Sequence, residues 1–180
     1  MIADVPRLLI MASGTGGHVY PALATAEQMG HQGWQVAWLG SGRDIESRLV
    51  LQAGYPLHHI DIHGLRGKGL WRLLSAPWYL VRAWIQAVQL LQRIRPQCVL
   101  GMGGFVTGPG GLAARALGIP LVIHEQNAIP GLTNRVLKPL SSRVLEAFSG
   151  SFKGHKAICT GNPIRSTIIA LPQPSQRLAG

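Results

Sequence analysis

The chain has 180 residues, enough for one domain of ordinary size with a core of its own. Its 17 Lys and Arg, 13 of them Arg, stand against 7 Asp and Glu, and the formal charge of +10 favours an anionic partner: phosphate, nucleic acid or an acidic membrane face. Two cysteines, Cys98 and Cys159, form neither a metal-ligand spacing nor a disulfide framework, and no run has the uninterrupted apolar length of a membrane span, so a stapled scaffold, a zinc module and a helical membrane protein are excluded.

Arg7 to Ala12 is a compact apolar run that predicts a first strand and not a signal peptide. His18 to Gly30 carries helical spacing through Ala22, Leu23, Ala26 and Met29. Trp34 to Leu39 predicts a second strand, Asp44 to Leu51 a short helix stopped by Gly54, and Leu57 to Ile62 a third strand. After the loop from Gly64 to Gly69 comes a long helical stretch. There Val81, Ile85, Val88 and Leu91 share one face, and Arg82, Gln86, Gln89 and Arg93 share the other.

Gln97 to Leu100 predicts a strand, Pro109 to Leu117 a helix, Ile119 to His124 a strand and Gly131 to Leu140 a helix. Short strands are expected near Arg143 to Glu146 and Lys156 to Thr160, and the tail from Leu171 to Gln176 reads as a linker. Strands alternating with helices predict an α/β fold, a Rossmann-like parallel sheet with helices on both faces. Ligands of such sheets bind beyond the carboxyl ends of the strands. Two glycine turns, Gly14-Thr15-Gly16-Gly17-His18 and Gly101-Met102-Gly103-Gly104, fall at that edge, with Glu125-Gln126-Asn127 and Gly161-Asn162-Pro163. Glycines there let backbone N–H groups approach an anion, and a helix N-terminus adds positive potential. The first turn is no dinucleotide fingerprint, because Val19 stands where the third glycine belongs, and no Gly-Lys-Ser/Thr of a Walker loop occurs.

The stretches Gly14 to Ala24, Gly64 to Gly69, Gly101 to Gly111, His124 to Asn127 and Gly161 to Arg165 resemble the MurG family of peptidoglycan glycosyltransferases, in order and across nearly the whole chain. The resemblance implies the N-terminal half of a GT-B glycosyltransferase. Residues 1–165 would be a Rossmann-like, acceptor-binding and membrane-associating domain, and 166–180 a linker toward a C-terminal donor-binding domain supplied in cis or in trans. The implied reaction moves N-acetylglucosamine from UDP-N-acetylglucosamine to lipid I, an undecaprenyl-diphosphate-linked acceptor, forming lipid II with inversion. No metal and no other cofactor is implied. The competing expectation is a non-catalytic, membrane-docking, lipid-diphosphate-binding subunit of a split transferase. Nucleic acid is not an expected partner, since the Arg residues are dispersed and no binding motif occurs.

By the same resemblance Thr15, Gly16, Gly17, Gly103, Gly104, Asn127 and Arg165 bind substrate. His18, at a helix N-terminus that favours the neutral imidazole, could take the proton of an attacking hydroxyl, with Glu125 as the alternative base. Phe105 stands where, by the same resemblance, many relatives carry tyrosine, and its ring could line the acceptor cleft. His58, His59, Asp61 and His63 read as polar strand-end residues and not as a metal set. The aromatic and basic segment containing Trp71, Arg72, Leu74, Trp78 and Arg82 predicts an amphipathic patch for an anionic membrane. Arg135 and Lys138 could extend it. The expected location is peripheral, on the cytoplasmic face of the bacterial plasma membrane.

Overall fold

A computed structural model of the chain describes residues 5–42, 44–62, 70–154 and 156–171, the side chains of residues 44, 45 and 70–75 excepted. Seven strands form one parallel sheet: β1 (Arg7–Ala12), β2 (Gln35–Gly40), β3 (Leu57–His59), β4 (Cys98–Gly103), β5 (Leu121–Glu125), β6 (Arg143–Glu146) and β7 (Ile158–Cys159). Their order is β3-β2-β1-β4-β5-β6-β7, the Rossmann arrangement, with the switch point between β1 and β4. The crossovers carry α1 (Gly16–His31), α2 (Asp44–Gln52), α3 (Leu70–Ile94), α4 (Thr107–Ala116) and α5 (Leu132–Leu137); a last short helix, α6, is Ser166–Ile169.

Residues of β1 alternate between two cores. Leu8, Ile10 and Ala12 pack with Val19, Ala22 and Ala26 of α1 and with Trp38. Leu9 and Met11 pack with residues of α3, α4 and β5 on the other face. A central parallel strand is buried on both faces, so its sequence is a continuous apolar run without polar alternation. Each fully buried aliphatic side chain contributes about 1.5–3 kcal/mol. Leu9, Ile10 and Met11 therefore pin the middle of the sheet, and with it the loop that follows β1.

The apolar face of the long helix is divided: Leu91 lies in the core and Val88 packs against it, but Val81 and Ile85 do not. Ala76, Ala83, Ala87, Leu90 and Leu91 are buried, whereas Val81 and Ile85 are exposed along with Trp78, Tyr79, Leu80 and Trp84. The alanine stripe has helical spacing too, and its small side chains let α3 lie against the glycine- and alanine-rich α4. Ranking positions by hydrophobicity favoured the larger residues; close approach of two helices favoured the smaller ones. The third strand is also shorter than expected. The Asp61 N–H turns to the Gln86 side chain (2.8 Å) and not to a neighbouring strand.

Trp38 is completely buried, and its indole N–H donates to the Ala12 carbonyl at 3.0 Å. Replacing Trp38 with Phe leaves that buried acceptor unpaired. Urea denaturation of the variant should show a loss of about 1–3 kcal/mol.

Candidate active site

Both glycine turns lie at the carboxyl edge, one after β1 and one at the end of β4, and they touch. Gly104 has φ +89°, and a Cβ there would come within 2.5 Å of the Ser13 carbonyl oxygen and 2.9 Å of its carbon. Gly103 has φ +105°, and a Cβ there would meet the His18 ring at 2.8 Å. The second turn is thus glycine because the first passes directly over it. Gly104 meets backbone and Gly103 an imidazole ring, and both have a positive φ that L side chains rarely adopt.

The first turn opens α1. Thr15 is its N-cap and makes no side-chain cap bond. The N–H groups of His18 and Val19 are bonded to the Thr15 carbonyl (3.1 and 3.4 Å). Those of Gly16 and Gly17 have no carbonyl one turn earlier in the helix to receive them, which leaves two donors and the positive helix end at the cleft. Gly14 does not join them: its N–H donates to Glu46 Oε2 at 2.9 Å.

Glu46 is one of three buried glutamates that brace this edge. It also accepts from the Ser41 N–H, the Ser41 hydroxyl (2.9 Å) and the Gly42 N–H (3.1 Å), tying the turn after β2 to the turn after β1. Glu146 accepts from the N–H groups of Gly150 (2.8 Å) and Phe152 (3.0 Å). Glu125, completely buried, accepts from the Asn127 N–H (3.0 Å) and Nδ2 (2.9 Å) on Oε1. On Oε2 it accepts from the Gly131 N–H (3.1 Å) and Asn134 Nδ2 (2.9 Å). Both oxygens are occupied and shielded from the cleft. This corrects the expectation that Glu125 serves as an alternative base: its carboxylate shapes the loop that presents Asn127.

His18 lies between the two turns, with Nδ1 2.9 Å from Gln126 Oε1. His124, behind Gln126, is buried, which pushes its imidazole below the ordinary value; the bond to the Gly161 carbonyl and the Glu125 charge act in the opposite direction. Asn127 is exposed beside His18's partner. Arg165 comes from the far end of the chain. Its guanidinium stacks on the Tyr20 ring at 4.5 Å, and that ring in turn packs against Gly16. Its buried Nε has no partner, and Ser166 next to it donates to Glu27 of α1 at 2.6 Å. Phe105 is half exposed at the same edge.

The expected residues Thr15, Gly16, Gly17, His18, Gly103, Gly104, Glu125 and Asn127 are therefore gathered at the carboxyl edge, and Arg165 is held near it through Tyr20. Glu46, Glu146, Tyr20 and the link through Gln126 had no assigned role in the sequence reading. No residue pattern marked the two glutamates, because their partners are mostly backbone N–H groups. The membrane patch is described in part. The side chains of Trp71, Arg72 and Leu74 lie outside the described residues, as does His63. Trp78 is 70% exposed, and Arg82 is exposed and paired with Asp61 at 2.9 Å. Leu132 and Val136 of α5 are exposed as well. No helix among the described residues is long and apolar enough to cross a membrane.

Residues 8–146 match the glycosyltransferase family 28 N-terminal domain. The chain belongs to this family. It is 54% identical over 169 residues to the UDP-N-acetylglucosamine–N-acetylmuramyl-(pentapeptide) pyrophosphoryl-undecaprenol N-acetylglucosamine transferase of Shewanella halifaxensis, covering 94% of this chain and 46% of the relative. The enzyme of the same description from Cronobacter sakazakii is 54% identical over 180 residues, covering 100% of this chain and 50% of the relative. Among solved structures, Acinetobacter baumannii MurG superposes with a TM-score of 0.78 at 44% identity, over 87% of this chain and 46% of that one. A UDP-GlcNAc 2-epimerase from Neisseria meningitidis (TM-score 0.63, 16% identity, 87% and 47% covered) shares the fold alone. The chain spans about half the length of these family relatives, and its fold is that of the N-terminal half of a GT-B transferase.

If Glu125 is a brace, Glu125→Ala strips the acceptors from four donors and should lower unfolding stability by about 3 kcal/mol in urea titrations. A loss within about 0.5 kcal/mol, as expected of an idle surface group, would contradict that role.

Proposed function

We propose that this chain forms the acceptor-binding half of a transferase that moves N-acetylglucosamine from UDP-N-acetylglucosamine to lipid I, making lipid II. The observation that carries the reading is the pair of unengaged amides at Gly16 and Gly17 beside the His18 imidazole, on the switch-point edge of the sheet. Amides fixed at a helix N-terminus suit a diphosphate, because their dipoles are already oriented before the ligand arrives. The acceptor's C4 hydroxyl attacks C1 of the donor sugar from the face opposite UDP. His18 takes the hydroxyl proton, the C1–O bond to UDP breaks, and the configuration at C1 inverts.

Asn127 and Arg165 contact the donor from this side of the cleft, while a C-terminal domain, in cis or in trans, holds most of the UDP-sugar. Thr15 contributes at the N-cap. Gly103 and Gly104 contribute by letting the two turns meet. The exposed apolar side chains of α3, with Arg82 and the cations of α5 and its following turn, seat the domain on the anionic cytoplasmic face of the plasma membrane. Four of the seven acids support the charge balance of such a surface: Glu46, Glu125 and Glu146 are buried and Asp61 is paired with Arg82, so the cations dominate outside.

Two measurements test the reading. In the longer protein, His18→Ala should reduce transfer to lipid I by about 100-fold or more with unfolding stability retained; an unchanged rate would remove His18 as the base. Replacing Trp78, Tyr79 and Ile85 together with serine should reduce sedimentation of this chain with phosphatidylglycerol-containing vesicles. Undiminished binding would relocate the membrane face.

A further inference from the structure

We infer that Gln126, held by His124, fixes the tautomer of His18 so that the lone pair sits on Nε2. The inference rests on His18 acting as the base, and it assigns Gln126 a positioning role in that step.

The proton positions follow from two backbone carbonyls, which can only accept. His124 Nε2 lies 3.0 Å from the Gly161 carbonyl oxygen, so that nitrogen carries a hydrogen and donates. In the neutral ring, the form that burial favours, His124 Nδ1 is therefore an acceptor. Gln126 Nε2 lies 3.2 Å from the His124 carbonyl oxygen and 3.1 Å from His124 Nδ1. Only the amide nitrogen can face a carbonyl and a lone pair together, which sets the orientation of the Gln126 side chain. Its Oε1 is left to face His18 Nδ1 at 2.9 Å and can only accept. His18 must therefore carry its hydrogen on Nδ1. In the neutral ring the lone pair is then on Nε2, which has no partner among the described residues.

The relay is rigid at each link. Gln126 is 5% exposed and His124 2%, and Asn162 Nδ2 donates to the Gln126 carbonyl at 3.2 Å. Gly103 closes the other side of the His18 ring, with no room for a Cβ. A free imidazole can place its hydrogen on either nitrogen, and the partner of one decides the state of the other. An amide does here, without charge, what a carboxylate does in a Ser-His-Asp triad. The far anchor, Gly161, belongs to the segment leading to Arg165, so the relay links the base to the stretch that carries a donor-side arginine.

Nitrogen-15 NMR of the imidazoles in this chain, at a pH where they are neutral, tests the assignment directly. His18 and His124 are identified by His18→Asn and His124→Gln variants. The expected spectrum has opposite tautomers in one molecule: His18 protonated at Nδ1, His124 at Nε2. In Gln126→Met, which keeps length and removes the acceptor, His18 should lose the Nδ1–H signature and shift toward Nε2–H. Wild-type His18 protonated at Nε2 would overturn the inference even if the Met variant failed to fold. An unchanged His18 signature in a folded Gln126→Met would overturn it too. Neither readout depends on turnover, so an inactive or a fully active His18→Ala enzyme would decide the base separately.

Discussion

Three carboxylates withdrawn from water hold the working edge of this domain together. Glu125 and Glu146 are the last residues of β5 and β6, Glu46 of α2 faces the ends of β1 and β2, and each receives backbone N–H groups from the loops at those strand ends. A buried carboxylate is costly unless its oxygens are filled by donors, and a loop turned inward is costly unless its N–H groups find acceptors. Each cost is offset by the other. The result is a set of loops whose shape is settled without a ligand.

That arrangement sorts the amides into structural and available ones. Gly14 is spent on Glu46, Asn127 and Gly131 on Glu125, and Gly150 on Glu146. The first turn of α1 is left over, because its N-cap side chain makes no bond and the chain before it is tied down elsewhere. Preorganisation of this kind means that an entering anion orders little that is not already ordered. The close contact of Gly104 with Ser13, and of Gly103 with His18, places the histidine beside those amides with little freedom to swing away.

Much of the fold was legible in the sequence because the central strands are apolar on both faces and punctuated by glycine. Arg7–Ala12 and Arg143–Glu146 appear with the expected bounds, and the other strands differ by shortening or by a residue or more at an end. The orientation of α3 was not legible, because its packing is decided by the size of the partner helix, and a stripe of alanines is invisible to a hydrophobicity ranking. The site was legible as a place, through its glycine turns and the His124 to Asn127 stretch. Glu125 was misread because a strand-end glutamate looks the same whether it faces solvent or receives four donors. Glu46 and Glu146 were silent for the same reason: their partners are backbone groups, which leave no residue type to recognise.

The central claim is that an anion is received by the opening amides of α1 next to His18. Titrating the nitrogen-15-labelled chain with a short-chain isoprenyl diphosphate measures this amide by amide. The account predicts the largest saturable shifts at Thr15, Gly16, Gly17 and His18, with little change at Leu91, Arg95 and Ile119 beyond the opposite end of the strands. Shifts concentrated at that opposite end, with the first turn of α1 unmoved, would contradict it.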